Sequence, residues 1–169
     1  GSGLMGRVID GMGSFIDGLD TPFTPEGFYP IYQDPPEPMT RRIIDQPLSL
    51  GVRAIDGLCT VGRGQRLGLF AGAGVGKSTL LGQMARGTRA DVTVVVLVGE
   101  RGRELREFVE DALGPEGLRR SVVVCATSDA PALVRLRAGF VATAIAEWFR
   151  EQGRDVLFLL DSITRLARA

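Results

Sequence analysis

The sequence predicts an α/β fold of three layers, with helices on both faces of a mainly parallel sheet. Three observations carry this. Four short runs, "RLGLFA" (66–71), "VTVVVLV" (92–98), "SVVVCAT" (121–127) and "DVLFLLD" (155–161), are apolar or β-branched throughout, as strands covered on both faces are. Helical segments over 77–88, 102–112 and 131–150 alternate with them. A glycine-rich stretch, "AGAGVGKS" (71–78), joins the first run to the first helix.

Taken in order, residues 1–20 read as short strands and turns, punctuated by D-G and G-M-G. Residues 21–47 hold seven of the nine prolines, a density that resists helix interior and central strand, so they form an extended surface connector. The last helix has Ser128 or Asp129 as candidate N-cap and Pro131 in its first turn. Leu133, Leu136, Phe140, Ala144 and Trp148 recur at three- and four-residue spacing. That stripe is expected to face the sheet, which makes Trp148 and Phe140 core residues.

Composition excludes several chemistries. Among 169 residues there is no histidine, so His-dependent triads and most catalytic zinc sites are ruled out. The formal net charge is zero, which gives no global pull toward nucleic acid or anionic membrane. Cys59 and Cys125 sit among apolar neighbours and are expected to be buried free thiols of a cytosolic protein. No apolar run reaches the roughly 20 residues that span a bilayer.

The stretch 71–78 matches the phosphate-loop pattern G-x-x-x-x-G-K-[ST], except that Ala71 stands in the first position. Gly72, Gly74 and Gly76 keep the backbone free, so the amides of Ala73, Gly74, Val75, Gly76, Lys77 and Ser78 can curl round an anion at a helix N-terminus. Lys77 would neutralise β- and γ-phosphates, Ser78 Oγ would bind Mg²⁺ and Thr79 would meet the α-phosphate. Glycine-rich turns join many strands to helices, but here strand, loop and helix fall in the order the motif needs. Asp161 ends an apolar run at the sheet edge where ligands bind, placed to hold a water of the Mg²⁺ shell. In "LVGERGRE" (97–104), Gly99 allows a sharp turn and Glu100 can polarise an attacking water. Arg101 beside it can stabilise transferred charge. Arg103, Glu104, Arg106 and Glu107 read as a solvated, ion-paired helix face.

Together, "RLGLFAGAGVGKSTLLGQMARGTRADV", "LVGERGRELREFVED" and "LLDSITRLARA" resemble the type III protein-export ATPases of flagella and injectisomes. The likeness runs through "PLSLGVRAIDGLCTVGRGQ", "RSVVVCATSDAPALVRLRA" and back to "LMGRVIDGMGSFIDG", and so covers almost the whole chain. It implies a P-loop NTPase with a RecA-like three-layer core, incomplete here and preceded by a short β/extended segment. Residues 1–22 would be the end of an N-terminal barrel and its connection, and 23–169 an ATPase domain truncated on its C-terminal side. The chain would be the central part of a protein roughly two to three times longer, with the arginine finger and adenine pocket lying later than residue 169.

The resemblance further implies Mg²⁺-dependent ATP hydrolysis, with Lys77, Glu100 and Arg101 as catalytic residues and Ser78 and Asp161 on the metal. It implies a homo-hexamer, stator and stalk proteins and chaperone–substrate complexes as partners, no nucleic acid, and a cytoplasmic place peripheral to the inner membrane. Catalytic subunits of rotary ATP synthases are the near alternative, but they usually read G-E-R-T-R-E-G-N-D where this chain has "GERGRELRE", and Thr in place of Ser78. A nucleotide-binding module without turnover is the alternative from another class. An RNA helicase on the same core is the weakest, since nothing here reads as an RNA-binding segment.

Overall fold

The run 92–98 becomes a strand whose every residue is buried, as does 121–126, because each has a partner on both edges and a helical layer on each face. The computed structural model describes residues 1–72 and 74–169. Its main sheet contains β1 (Val8–Asp10), β4 (Val92–Val98), β5 (Ser121–Ala126) and β6 (Val156–Asp161), in the spatial order β1-β5-β4-β6 with every pair parallel. A small antiparallel pair, β2 (Pro47–Leu48) and β3 (Val61–Gly62), brackets the short helix α1 (Arg53–Leu58).

Strand periodicity divides the core into two clusters. Val95, Leu97, Val123 and Leu159 face α2 (Lys77–Gly87) and a π-helical segment, Phe108–Leu113, contributing a cluster with Leu81, Met84, Ala85 and Leu113. Val94, Val96, Val98, Val122 and Val124 face α5 (Ala132–Glu151) and pack on Ala138, Ala142 and Phe149. Each fully buried valine contributes about 1.5–3 kcal/mol relative to exposure. The result is the expected three-layer arrangement with a parallel sheet.

Four local expectations are corrected. Residues 66–71 form no ladder. Gly68 interrupts the run, Phe70 is exposed, and only Leu69 packs against the core, so too little side-chain contact fixes an edge pairing there. The helix expected over 102–112 is present: α3 (Gly102–Glu107) runs into the π-helical segment and ends at Gly114, at φ +66°, after which α4 (Gly114–Arg119) starts with Pro115 in its first turn. Neither Ser128 nor Asp129 caps α5. Pro131 holds that position, while Ser128 N donates to Glu100 O at 2.9 Å.

The stripe on α5 is out of phase over its first half, while Ala144 is buried as expected. Leu133 is 69% exposed, and Leu136 and Phe140 are also exposed. The buried face is mostly alanine along its first three turns, with Phe149 at its end, and Leu133, Leu136 and Phe140 fall on the other side. Phe140 instead meets Tyr32 of the connector, ring centroids 4.9 Å apart, and Trp148 is partly buried against the core. The connector is largely exposed, as expected, and is pinned again where Tyr29 Oη donates to Glu151 at 2.6 Å. Cys125 is buried as anticipated, its thiol pushed up to about 12 first by desolvation. Cys59 is exposed, because the short α1 ends at the surface with Leu58 also outside.

Candidate active site

Parallel pairing brings the C-terminal ends of β4, β5 and β6 to one edge. Leu97 and Asp161 are register partners, so the carboxylate ending β6 lies beside the strand that, three residues on, delivers Glu100. Gly99, at φ +72°, makes the turn between them in a region other residues enter at a cost. The Asp161–Ser162 peptide is cis. α2 starts at the same edge, with Gly76 as its N-cap at φ +93° and Gly74 at φ +75°. Ala73 lies outside the described residues. Gly72, Val75, Ser78 and Thr79 are exposed, as a loop open to a ligand requires.

A cleft of about 420 Å³ opens between α2 and the α3–π-helical wall, and Ser78, Thr79, Leu97, Glu100, Glu104 and Asp161 line it. Lys77 reaches across to Asp161, Nζ to Oδ1 2.5 Å, with the Asp161 side chain 4% exposed. The fold thus brings Lys77, Ser78, Thr79, Glu100 and Asp161 to one place. Arg101 does not join them. Its side chain is 82% exposed and pairs with Glu104 at 3.7 Å. As the residue preceding α3, it leaves the chain in a different direction from its neighbour Glu100.

The cation that does meet Glu100 is Arg165, which ion-pairs with it. Arg165 stands on α6 (Ile163–Ala167), whose N-cap Ser162 accepts from Arg165 N at 3.3 Å. Glu100 is pushed up to about 7. Desolvation is the first cause and a hydrogen bond shared with Glu104 the second, while the charge of Arg165 opposes them. Glu104 is held below its ordinary value, first by that same hydrogen bond. Of the two neighbouring carboxyls, Glu100 is therefore the harder to ionise. Glu104, assigned from its spacing to a solvated, ion-paired face, is exposed and paired with Arg101 and lines the cleft as well. Arg165 carries a sequence signal that was not used: a helix starting immediately after a strand-terminal aspartate must hang its first turn over the ligand edge.

No group of three or more His, Cys, Asp or Glu suited to a metal occurs among the described residues. The donors present, one hydroxyl and one strand-end carboxylate facing an open cleft, suit a hard ion that keeps waters and takes further oxygens from a bound phosphate. Mg²⁺ fits that set.

The model of the ATP synthase alpha/beta family, nucleotide-binding domain, matches residues 51–169. The chain is 57% identical over 171 residues to the flagellum-specific ATP synthase of Bacillus subtilis (strain 168), covering 100% of this chain and 38% of that protein. It is 56% identical to the type 3 secretion system ATPase of Xanthomonas euvesicatoria, again over 100% of this chain and 38% of the other. A solved prototypical ATPase from the type III secretion system of pathogenic bacteria superposes with a TM-score of 0.93 at 51% identity, covering 99% of this chain and 48% of that one. The assembled ATPase EscN with its central stalk EscO, from enteropathogenic E. coli, gives a TM-score of 0.90 at 53% identity over 98% of this chain and 40% of that one. This chain spans well under half the length of the curated relatives it matches. Its fold and the match across 51–169 agree, and the chain belongs to the ATP synthase alpha/beta family.

Proposed function

We propose that this chain is the nucleotide-binding core of an ATPase that energises protein export through a type III apparatus, flagellar or injectisome. The observation that carries it is the meeting of Lys77, Ser78, Glu100 and Asp161 at one cleft from three separate stretches of sequence. A phosphate cradle alone needs neither carboxylate. Likeness to export ATPases over the entire chain, at above half identity, supports the export assignment.

Each residue has a task its surroundings favour. The loop amides and the α2 N-terminus receive the phosphates. Lys77 passes from Asp161 to the β- and γ-oxygens, leaving Asp161 to face the Mg²⁺ shell beside Ser78. Mg²⁺, when bound, neutralises charge on the phosphoryl oxygens and orients them. Glu100, with proton affinity near neutrality, accepts a proton from the attacking water. We assign Arg101 no contact with the reacting atoms. The nucleotide-binding unit is taken as 23–169, with β1 joining its sheet from outside that range. A homo-hexamer with a central stalk is the proposed assembly, supported by the likeness to EscN, solved assembled and with EscO.

The test is steady-state ATP hydrolysis by the longer protein that contains this chain. Lys77→Ala should abolish turnover, and Glu100→Gln should lower kcat at least 100-fold, at the low end of what general base catalysis contributes (about 10²–10⁴), while nucleotide still binds. Near-normal kcat for Glu100→Gln at saturating ATP would remove the base assignment. Residues 1–169 alone should hydrolyse ATP weakly or not at all, since the finger expected elsewhere contributes about 10³–10⁵ to rate.

A further inference from the structure

We propose that Arg165 is a positioning residue that latches Glu100 in the empty site, and that nucleotide entry opens this latch together with the Lys77–Asp161 pair. The proposal rests on the reading of the cleft as a nucleotide site. Three features build the latch. The first turn of α6, tied by its Ser162 cap, presents Arg165 toward the β4–α3 turn. Gly99 then provides a bed for its stem: a Cβ at position 99 would lie 2.9 Å from Arg165 Cδ and 3.3 Å from Arg165 Cβ. Lying there, the guanidinium meets Glu100, whose side chain is 15% exposed against 45% for Arg165.

The charges at the inner end of the cleft are then self-neutralised in two pairs, Arg165 with Glu100 and Lys77 with Asp161. The remaining charged groups of the lining are Glu104, Glu107, Asp111 and Arg86, the last donating to Asp111 O at 3.5 Å. A polyphosphate entering this cleft competes with both carboxylates for their cations. Once Arg165 leaves, Glu100 loses the single neighbour that draws its proton affinity down. Occupancy thereby frees the Glu100 carboxyl from its ion pair to meet a water.

The test is a double-mutant cycle read as melting temperature, using wild type, Arg165→Gln, Glu100→Gln and the double variant. Each is measured empty and with saturating metal-free AMP-PNP, so no turnover enters the readout. In the empty protein the two substitutions should be non-additive by roughly 2–4 °C. With AMP-PNP bound, the non-additivity should vanish. A parallel cycle with Arg165→Met, which keeps an unbranched stem and removes the charge, covers the event that Arg165→Gln folds poorly. Non-additivity of the same size in both states would make the pair a permanent structural bridge and overturn the latch, as would additivity in the empty protein. If AMP-PNP fails to raise the melting temperature of wild type, the nucleotide reading itself fails, and the latch with it.

Discussion

Glu100 binds its proton more tightly in the folded chain than in the unfolded one, and that difference has a sign in stability. Its ordinary value is 4.5 and the folded value about 7. Below 4.5 both states are protonated, and the folded state keeps the full benefit. Between 4.5 and about 7 the unfolded chain ionises first, so stability falls as pH rises through this window. Asp17 runs the other way: Arg7 holds it at about 2, so its contribution is complete above its ordinary value of 3.8 and is lost on acidification toward 2. The two windows do not overlap. Melting temperature of the nucleotide-free chain should decline from pH 4.5 to 7.5, and Glu100→Gln should flatten that decline. An identical slope in both proteins would refute the burial account of Glu100.

Gly99 is tested at the same scale. Gly99→Ala puts a side chain at φ +72° and against the Arg165 stem, costing about 1–2 kcal/mol for the left-handed backbone alone. It should lower the melting temperature and also reduce the Arg165–Glu100 coupling, measured by the same cycle in the alanine background. The residues of this site were legible where a local pattern marks them: a glycine loop before a helix for Lys77 and Ser78, a strand-end carboxylate for Asp161, and a glycine turn for Glu100. Arg165 and Glu104 were not, because their roles arise where α6 and α3 meet the turn after β4. Arg101 was misplaced for the converse reason, as adjacency in sequence puts two side chains on different sides of a helix start.

Among the elements, α2 and the π-helical segment are the pair that forms the cleft's floor and wall. They approach so closely that a Cβ on Gly82 would lie 2.4 Å from Ala112 O. A backbone carbonyl cannot step aside as a flexible side chain can. Gly82→Ala should therefore force the two elements apart at a cost of about 1–3 kcal/mol, despite alanine's better helix propensity. Thermal unfolding should register a loss, and metal-free nucleotide should bind more weakly because Ser78 and Glu104 lie on opposite sides of the displaced contact. A stability gain would show that the contact yields. This closeness also explains which elements could be read ahead. Almost wholly apolar, β4 and β5 have one available environment and were found within a residue or two. Helix α5 carries apolar residues round much of its circumference, so spacing of the largest ones chose the wrong face for Leu133, Leu136 and Phe140. Run 66–71 had the composition of a strand but not the side-chain contacts to fix one.

For the molecule as a whole, stability is graded from β4 outward. β4 has ladder partners on both sides and both core clusters on its faces, so its amides should exchange with solvent last. The connector 21–47 has no such protection, and Arg41 and Arg42 lie exposed within it. Trypsin under native conditions should cut there first. The cut need not free the N-terminal piece. β1 pairs with β5, the buried Arg7–Asp17 bridge at 2.6 Å folds residues 7–21 on themselves, and Tyr29 and Tyr32 grip the outer side of α5. Fragments 1–41 or 1–42 and the remainder should therefore co-elute on size exclusion after cleavage, with nucleotide binding preserved because every cleft residue lies on the larger piece. Separation of the two fragments without denaturant would mean that β1 and the two tyrosine contacts are too weak to hold them. The sheet would then have to keep its register on β4, β5 and β6 alone, and loss of nucleotide binding in the larger piece would show that β1 supports the site through β5.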